Sequence, residues 1–173
     1  MGNGATPEAN AARRKIETEA CEYLAAKVRY EEGKLYWVKC WKSFIGRQVG
    51  YLGKLGYWKV NSNTAGTIPL HRLIFFIHHR YLPDIVDHID GDKENNRIEN
   101  LRAATNQQNI CNSKLYASNK SGHRGIRFKD GSWVARIRTK GQEIHLGTFK
   151  NIEDAIAVRK NAEGEYHGEF ARN

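Results

Sequence analysis

A polar run near the middle of the chain, DHIDGDKENNRIENLRAATNQQN from residue 87 to residue 109, carries the residue types that phosphodiester hydrolysis needs. Asp87 and Asn109 offer a carboxylate and an amide oxygen, which suit Mg²⁺ or Mn²⁺. His88 titrates in the range of a general base that deprotonates an attacking water. An amide or a backbone carbonyl can orient its imidazole. With a cation to stabilise the charge that gathers on the phosphate, these groups favour metal-assisted hydrolysis.

Two strands and a helix must position these groups. The apolar alternation of residues 86–89 predicts a short strand, Asp90 begins a loop, and a second strand starts at residues 100–102. Thr105 is a residue type that caps helices, and Asn109 lies one turn after it. A β-β-α unit of this kind can bring the aspartate, the histidine and the final asparagine together.

The residues before this unit predict further helices and strands. Apolar residues recur at helical spacing over residues 8–28, which indicates a helix. Aromatic and β-branched residues between glycines over residues 35–60 indicate short strands with tight turns. Residues 70–81 (LHRLIFFIHHRY) are apolar and end before Pro83, so we predict a buried helix. We interpret its three histidines as packing or surface residues rather than ligands.

The run D-H-I-D-G-D-x-x-N-N-R-x-E-N-L-R resembles the HNH nuclease family, in particular its phage and intron-encoded homing endonuclease branch. In that family a metal-binding Asp precedes the first motif His, as Asp87 precedes His88, and the middle Asn corresponds to Asn100. The last position, a His in many members, is Asn109, which makes the chain an H-N-N variant. The resemblance implies a ββα-metal core in which Asp87 and Asn109 bind the cation, His88 is the general base and Asn100 positions it. Because a neutral amide binds transition metals more weakly than His does, we expect Mg²⁺ or Mn²⁺ rather than Zn²⁺ or Ni²⁺.

Other residues around the motif have roles that the sequence leaves open. We interpret residues 95–96 (Asn-Asn) as stabilising the loop through hydrogen bonds from side chain to backbone. Arg97 and Arg102 either contact phosphate or pair with nearby carboxylates. Family members often carry H-R-L upstream, found here at residues 71–73, and a Gly-Tyr strand before it, found here at residues 56–57.

The C-terminal third predicts a small basic sheet followed by one helix. Strands are expected at about residues 125–128, 132–138 and 143–148, and Asn151 caps a helix that runs to about Tyr166. Guanidinium groups on such a sheet can grip phosphates or read guanine edges, although a basic face can also be a solvated surface. One surface of the sheet is expected to carry Arg124, Arg127, Arg136 and Arg138, with Trp133 nearby.

Residues 119–172 also resemble the plant APETALA/ethylene-response DNA-binding domain. The resemblance rests on R-G-I-R from residue 124, G-S-W-V-A-R-I-R from residue 131 and L-G-T-F from residue 146. It implies a three-stranded antiparallel sheet packed on one helix, with the sheet in the major groove and the same four arginines and tryptophan on the DNA. The plant domain usually has an acidic residue where Arg136 stands, so its base preference does not carry over.

Charge and composition are consistent with a polyanionic partner. The net charge is +9; residues 1–70 hold 11 basic and 6 acidic side chains, residues 71–116 six of each, and residues 117–173 hold 11 and 7. Two basic flanks therefore surround a neutral middle. The three cysteines lie far apart, no run of about 18 apolar residues occurs, and the first residues are polar. We expect a cytoplasmic protein with reduced thiols and no contact with membrane.

The sequence predicts an α+β protein with an N-terminal helical segment (1–30), an HNH domain (31–116, core motif 84–112), a linker (117–123) and a DNA-binding domain (124–173). Its expected activity is cleavage of double-stranded DNA, by nicking if one chain acts alone and by double-strand cutting if a homodimer forms. A non-catalytic DNA-binding regulator built on the same scaffold is the alternative. An RNA-binding protein is a third class that rests on charge alone.

Overall fold

The chain folds into a mixed α+β structure with small antiparallel sheets. The computed structural model describes residues 6–113, 115, 118–139 and 141–170. Across this part of the chain, no helix combines the length and the apolar character needed to cross a membrane. The helices described are α1 (Pro7–Ala25), α2 (Leu70–His79), α3 (Asn106–Asn112) and α4 (Ile152–His167). The strands described are β1 (Val28–Glu31), β2 (Lys34–Trp37), β3 (Tyr51–Leu52), β4 (Trp58–Ser62), β5 (Gly66–Pro69), β6 (Ile85–His88), β7 (Leu101–Ala104), β8 (Ile126–Lys129), β9 (Ser132–Thr139) and β10 (Gln142–Phe149).

The backbone divides into two compact units, residues 1–104 and residues 105–173, with the division between β7 and α3. The sequence suggests a linker at 117–123. Residues 118–123 form a hydrogen-bonded turn within the second unit, in which Asn119 Oδ1 accepts hydrogen bonds from the backbone N–H groups of the residues that follow. The domain boundaries drawn from the sequence stay a prediction.

Helix α1 packs against α2 in the core of the first unit. The hydroxyl of Thr6 caps its first turn. Cys21 and Leu24 are buried in the core that α2 shares, because they fall on one face of the helix. The helix predicted over residues 8–28 is confirmed, and it ends three residues earlier, at Ala25.

Helix α2 lies at the centre of this core. All residues from Leu70 to Phe76 are buried except Arg72, since α1 and the sheet β3–β4–β5 both pack on the helix. The largely buried Arg72 guanidinium donates to Glu17 of α1, with Nη2 2.9 Å from Oε2. The buried helix predicted over residues 70–81 is confirmed and ends at His79.

The hairpin of β1 and β2 packs against the loop that follows β6. Gly33 in its turn has a φ of +85°, and a Cβ placed there would lie 2.8 Å from the backbone nitrogen of Arg97. Only glycine tolerates both this conformation and this approach. The neighbouring ion pair between Glu32 and Arg97 is exposed, so it contributes little. The close backbone contact therefore does more than the ion pair to hold residues 96–97 in place.

Strands β6 and β7 pair antiparallel, with Asp87 opposite Arg102 and His88 opposite Leu101. Both predicted strands are confirmed, each within a residue or two of its expected limits. The loop between them ends in a 3₁₀ turn over Ile98–Asn100. The pairing places the Asp-His dipeptide at the end of β6, beside the loop that contains the remaining motif residues.

The second unit begins with α3 and continues with a sheet and a helix. The Thr105 hydroxyl and the Gln108 side chain form a capping box at the start of α3, which confirms the predicted cap. Strands β8, β9 and β10 form an antiparallel sheet with β9 in the middle, and α4 packs on it. Ile126, Ala135 and Ala155 are the buried residues at this contact. The three predicted strands and the predicted helix are thus confirmed.

Candidate active site

Strand β6 ends in two consecutive buried polar residues. Asp87 is 6% exposed and His88 is 5% exposed. Successive side chains of a strand point to opposite faces, so both faces of β6 are covered at this end. Buried polar groups persist in a fold when they have hydrogen-bond partners, and both residues have them.

Asp87 forms a buried ion pair across the β6–β7 ladder. Its Oδ2 accepts a hydrogen bond from Arg102 Nε at 3.1 Å, and the side chains are 7% and 13% exposed. From the sequence, Arg102 could contact either a phosphate or a nearby carboxylate. In the structure it pairs with the carboxylate of Asp87, its cross-strand partner. Removing one member of such a pair leaves a buried charge and typically costs about 3–5 kcal/mol.

His88 lies against a buried asparagine. Its Nε2 is 3.1 Å from Asn96 Oδ1, and Asn96 is 3% exposed. Asn96 Nδ2 donates to the backbone carbonyl of Glu94 at 3.3 Å, which turns the amide oxygen towards the imidazole. In this arrangement His88 Nε2 carries the proton and donates it. Asn96 therefore orients the imidazole, a role that the sequence did not reveal, since it suggested only a loop-stabilising one.

Asn100 holds the loop between β6 and β7 in its conformation. Its Nδ2 donates to Asp90 Oδ1 at 2.9 Å and to the backbone carbonyl of Asn95 at 2.8 Å. Its Oδ1 accepts from the backbone N–H of Asp90 at 3.1 Å. By fixing both ends of the loop, Asn100 supports Asn96 and, through it, His88. The direct role in positioning His88 that the motif implies for Asn100 stays a prediction.

The carboxylate of Asp90 is the hub of this loop. It accepts hydrogen bonds from the backbone N–H of Asp92 at 2.8 Å and from Asn95 Nδ2 at 2.7 Å, as well as from Asn100. Burial raises the pKa of Asp90, but these hydrogen bonds outweigh burial, and the pKa lies below its ordinary value. The loop conformation thus depends on an ionised carboxylate. Asn95 Oδ1 also accepts a hydrogen bond from the backbone N–H of Arg97 at 3.5 Å, which is the kind of bond between side chain and backbone that the sequence predicts for this residue.

Two further rings lie against His88. The ring centroid of His71, at the start of α2, is 4.8 Å from that of His88, and Tyr57 is 5.4 Å from His71 and 6.1 Å from His88. His71 is 7% exposed, and its Nδ1 has no hydrogen-bond partner among the described residues. His71 belongs to the upstream H-R-L segment and Tyr57 to the Gly-Tyr segment. These two segments were the only sequence feature that indicated a position near His88.

Burial and charge shift the pKa values of these two rings. Burial, and after it the neighbouring His88 and Arg72 charges, lowers the pKa of His71 to about 3, so its imidazole is neutral at neutral pH. Burial and the Asp87 carboxylate raise the pKa of Tyr57. Lys93 lies over the Tyr57 ring, with Nζ 4.6 Å from its centroid. His88 thus has uncharged rings as neighbours, with a lysine at the edge of the group.

Asn109 lies in the second unit, half-buried on α3. Its backbone N–H donates to Thr105 at 3.0 Å, one helical turn earlier, as the sequence predicts. The structure therefore brings Asp87, His88 and Asn100 together in the first unit, while Asn109 lies on a helix of the second unit.

Three of the predicted DNA contacts share one face of the C-terminal sheet. Arg127 pairs with Val134, and Arg136 and Arg138 follow Val134 at alternate positions of β9. Arg127 and Arg138 are exposed, and Arg136 forms an ion pair with Glu143 on β10. The opposite face packs on α4, so the arginines face away from the helix.

Trp133 and Arg124 have contacts inside the second unit. Trp133 is half-buried beside the core under α4, with its ring centroid 5.0 Å from that of Phe128. Arg124 Nη1 donates to the backbone carbonyl of Ile110 at 2.6 Å, and Nη2 to that of Ser113. A cation at the last carbonyls of a helix stabilises its C-terminus, here that of α3. Arg124 thereby connects the sheet to the helix that carries Asn109.

Comparison with known proteins identifies the family to which the chain belongs. Residues 69–110 match the family model described as HNH endonuclease, a span that includes His71, Asp87, His88, Asn100 and Asn109. The chain is 39% identical over 130 residues to a protein named as an uncharacterized HNH endonuclease of Acanthamoeba polyphaga mimivirus, covering 73% of this chain and 67% of that protein. It is 32% identical over 89 residues to Protein 3.8 of Escherichia phage T7, covering 50% of this chain and 73% of that protein. No solved structure gives a significant match. The chain belongs to the HNH endonuclease family.

Proposed function

We propose that the protein is a metal-dependent DNA endonuclease that hydrolyses one phosphodiester at Asp87 and His88. The observation that carries the proposal is the geometry at the end of β6, where a buried imidazole is held by Asn96 beside a buried carboxylate. The hydrogen bond at 3.1 Å fixes the orientation of the ring, which a base that must face one attacking water requires. Membership of the HNH endonuclease family supports the same conclusion.

In the proposed reaction His88 accepts a proton from the attacking water. Because Nε2 carries the proton that faces Asn96, Nδ1 is the nitrogen that takes the proton of the water. His71 and Tyr57 limit the space around the ring and keep the immediate surroundings of His88 apolar. Asn100 contributes by keeping the loop that carries Asn96 in place.

Asp87 and Asn109 would hold one divalent cation, most suitably Mg²⁺ or Mn²⁺. Their donors are oxygen atoms, and among the described residues no three His, Cys, Asp or Glu side chains form a metal cluster. Such a donor set fits a hard cation that keeps water and phosphate oxygens in its shell, and it does not resemble a structural zinc site. When bound, the cation supplies stabilisation of the charge on the phosphate and the leaving oxygen.

The C-terminal unit would bind the duplex. Arg127, Arg136 and Arg138 present guanidinium groups on one face of a three-stranded sheet, which is the arrangement expected of an APETALA-type domain in the major groove. Arg124 and Trp133 remain proposed contacts, each with a packing role as well.

The biological setting follows from the resemblance and the relatives. A single centre nicks one strand and leaves 3′-hydroxyl and 5′-phosphate ends, while cutting of both strands needs a homodimer or two events. The similarity to a protein of phage T7 supports a phage-type enzyme that acts in the cytoplasm of the host, and a homing role rests on the motif alone.

Supercoiled plasmid incubated with the purified protein and Mg²⁺ or Mn²⁺ tests the proposal. We expect open-circle product with the wild-type protein and none with His88→Ala or with EDTA. A duplex gel shift on the same samples separates the two DNA-linked functions. If wild-type protein binds duplex DNA but leaves plasmid intact under both metals, the non-catalytic regulator replaces the nuclease.

A further inference from the structure

A long stretch of the first unit contains no carboxylate. Residues 33–83 hold eight lysines and arginines and no Asp or Glu, although the chain has 19 acidic residues in all. The residues predicted to contact DNA all lie between Arg124 and Arg138, outside this stretch. Arg72 pairs with Glu17 of α1, but in the described part of the chain none of the other seven basic residues forms an ion pair with a carboxylate, so they give the stretch an excess of positive charge.

Part of this stretch is a projecting loop of fixed shape, residues 38–47, which we term the aromatic loop. Its ends are tied together, since Trp37 N–H donates to the backbone carbonyl of Arg47 at 3.0 Å and Gly46 N–H to that of Trp37 at 2.8 Å. Val38 N–H donates to the backbone carbonyl of Lys27, just after α1, at 2.8 Å. These bonds close the backbone of the loop, so its side chains stay in one region of the surface.

The aromatic loop exposes large apolar side chains. Trp41 is 83% exposed, Ile45 is 53% exposed and Phe44 is 48% exposed. Trp41 and Phe44 also line an open cavity of about 890 Å³ in the first unit. Several large apolar groups gathered on one ordered loop are typical of a binding surface.

The same loop presents cations around these apolar groups. Lys39, Lys42 and Arg47 are all exposed, and within the described part of the chain none of them forms an ion pair with a carboxylate. The Arg47 guanidinium lies 5.4 Å from the centroid of the Phe44 ring. Aromatic side chains interleaved with unpaired cations are the chemistry that recognises a phosphate backbone and its bases.

We propose that the aromatic loop is a second DNA-binding surface, on the nuclease unit itself, which contacts duplex phosphates through its three cations and inserts Trp41 against the bases. The cations would also attract an acidic protein. Duplex DNA explains the exposed tryptophan as well, because Trp41 can stack on its bases while the cations contact its phosphates. The proposal rests on the proposed function insofar as duplex DNA is taken as the substrate.

Binding of a fluorescent random-sequence duplex, measured across a range of salt concentrations in EDTA, tests the proposal. All variants carry His88→Ala in the full-length chain, so that cleavage plays no part in the readout. The loop variant combines Lys39→Ala, Lys42→Ala and Arg47→Ala. Its control removes the same charge from exposed residues outside the loop, by Arg13→Ala, Lys15→Ala and Lys160→Ala. Trp41→Ala and Trp41→Phe form a second pair.

Loss of three phosphate contacts should lower the slope of log K against log salt by about 2–3, while the control lowers it by less than about 1. Trp41→Ala should weaken binding roughly tenfold at an unchanged slope, with Trp41→Phe recovering part of the loss, because stacking does not release counterions. Equal slopes for loop variant and control would overturn the proposal. The proposal would also be overturned if Trp41→Ala weakened binding of duplex RNA but not of duplex DNA. A third contrary result would be a change in the sedimentation of the free protein with no change in its affinity for DNA. None of these measurements depends on nuclease activity, so they test DNA binding by the aromatic loop separately from the proposed cleavage.

Discussion

At the end of β6 the side chains of Asp87, His88 and Asn96 are buried and hydrogen-bonded, whereas on the C-terminal sheet Arg127 and Arg138 face solvent. His88 and Asn96 are at most 5% exposed. A buried polar network has one arrangement that satisfies all its groups, and disturbing it changes geometry as well as energy. Exposed arginines keep their freedom until a partner orders them. Substitutions in the loop should therefore alter the rate of cleavage, and substitutions on the sheet should alter affinity.

Outside the proposed catalytic pair of Asp87 and His88, the largest effect is expected from Asn96→Ala. Without the amide oxygen 3.1 Å from Nε2, the imidazole of His88 loses its orientation, and the single-turnover cleavage rate should fall about 100-fold. Asn95→Ala is the matched control, because it removes a hydrogen bond to Asp90 but no contact with His88. Its rate should fall only a few-fold. Equal losses in the two variants would mean that loop integrity, not orientation of the base, is what matters.

A second effect concerns pH and His71. Its pKa is about 3 in the folded protein and about 6.5 in the unfolded chain, so on acidification the unfolded state binds the proton first. The free energy of unfolding should therefore fall as pH drops from about 6.5 towards 3, by about 2 kcal/mol between pH 7 and pH 5.

Urea denaturation of the wild type and of His71→Gln at both pH values isolates this contribution of His71. The variant should lose about 2 kcal/mol less than the wild type on acidification. His79→Gln, which removes an exposed histidine, should follow the wild-type curve. If His71→Gln also follows it, His71 is not the buried neutral group described.

A third prediction tests the support that β1 and β2 give to the loop. Gly33→Ala should lower the unfolding free energy by about 2 kcal/mol, because the φ of +85° is strained for alanine and its Cβ meets the Arg97 nitrogen at 2.8 Å. Gly66→Ala is the control, with a φ of +68° and nothing within 4 Å, and should cost about 1 kcal/mol. Thermal or urea unfolding measures both. Equal costs would show that the contact with residue 97 does not matter.

Much of the fold was predictable because its signals are local. The spacing of apolar residues in α1, the capping residue Thr105 and the alternation in β6 each depend on a few adjacent residues, and the structure confirms the elements that they predict. The end of α1 was less predictable, because residues 26–28 continue the apolar pattern although the helix stops at Ala25.

The hydrogen-bond and ion-pair partners of the site residues could not be predicted from the sequence in the same way. The Asp87–Arg102 ion pair depends on the register of two strands joined by a loop whose conformation the sequence does not specify. Asn96 meets His88 because the intervening turn brings them together. His71 arrives from α2 by packing of the core. Motif residues were identified by type, but their contacts are set by tertiary structure.

The smallest effect on folding is expected from the sheet. Arg127→Ala and Arg138→Ala should change the unfolding free energy by less than about 0.5 kcal/mol each, as exposed side chains do. In a gel shift across salt concentrations, each should lower the slope of log K against log salt by about 1. A control at exposed Lys160 on α4, away from this face, should leave the slope nearly unchanged. Loss of folding in the arginine variants would remove the contrast between the two regions.

Single-turnover cleavage of duplex DNA at saturating protein, with Mg²⁺, tests the central claim most directly. Asp87→Asn, which keeps a side-chain oxygen for the buried Arg102, and His88→Ala should each bind the duplex with wild-type affinity and cut it about 1000-fold more slowly or worse. Arg127→Ala combined with Arg138→Ala should cut at the wild-type rate once enough protein is present to bind all the DNA. Wild-type cleavage rates for His88→Ala would contradict the account, because the catalytic centre would then lie elsewhere in the chain.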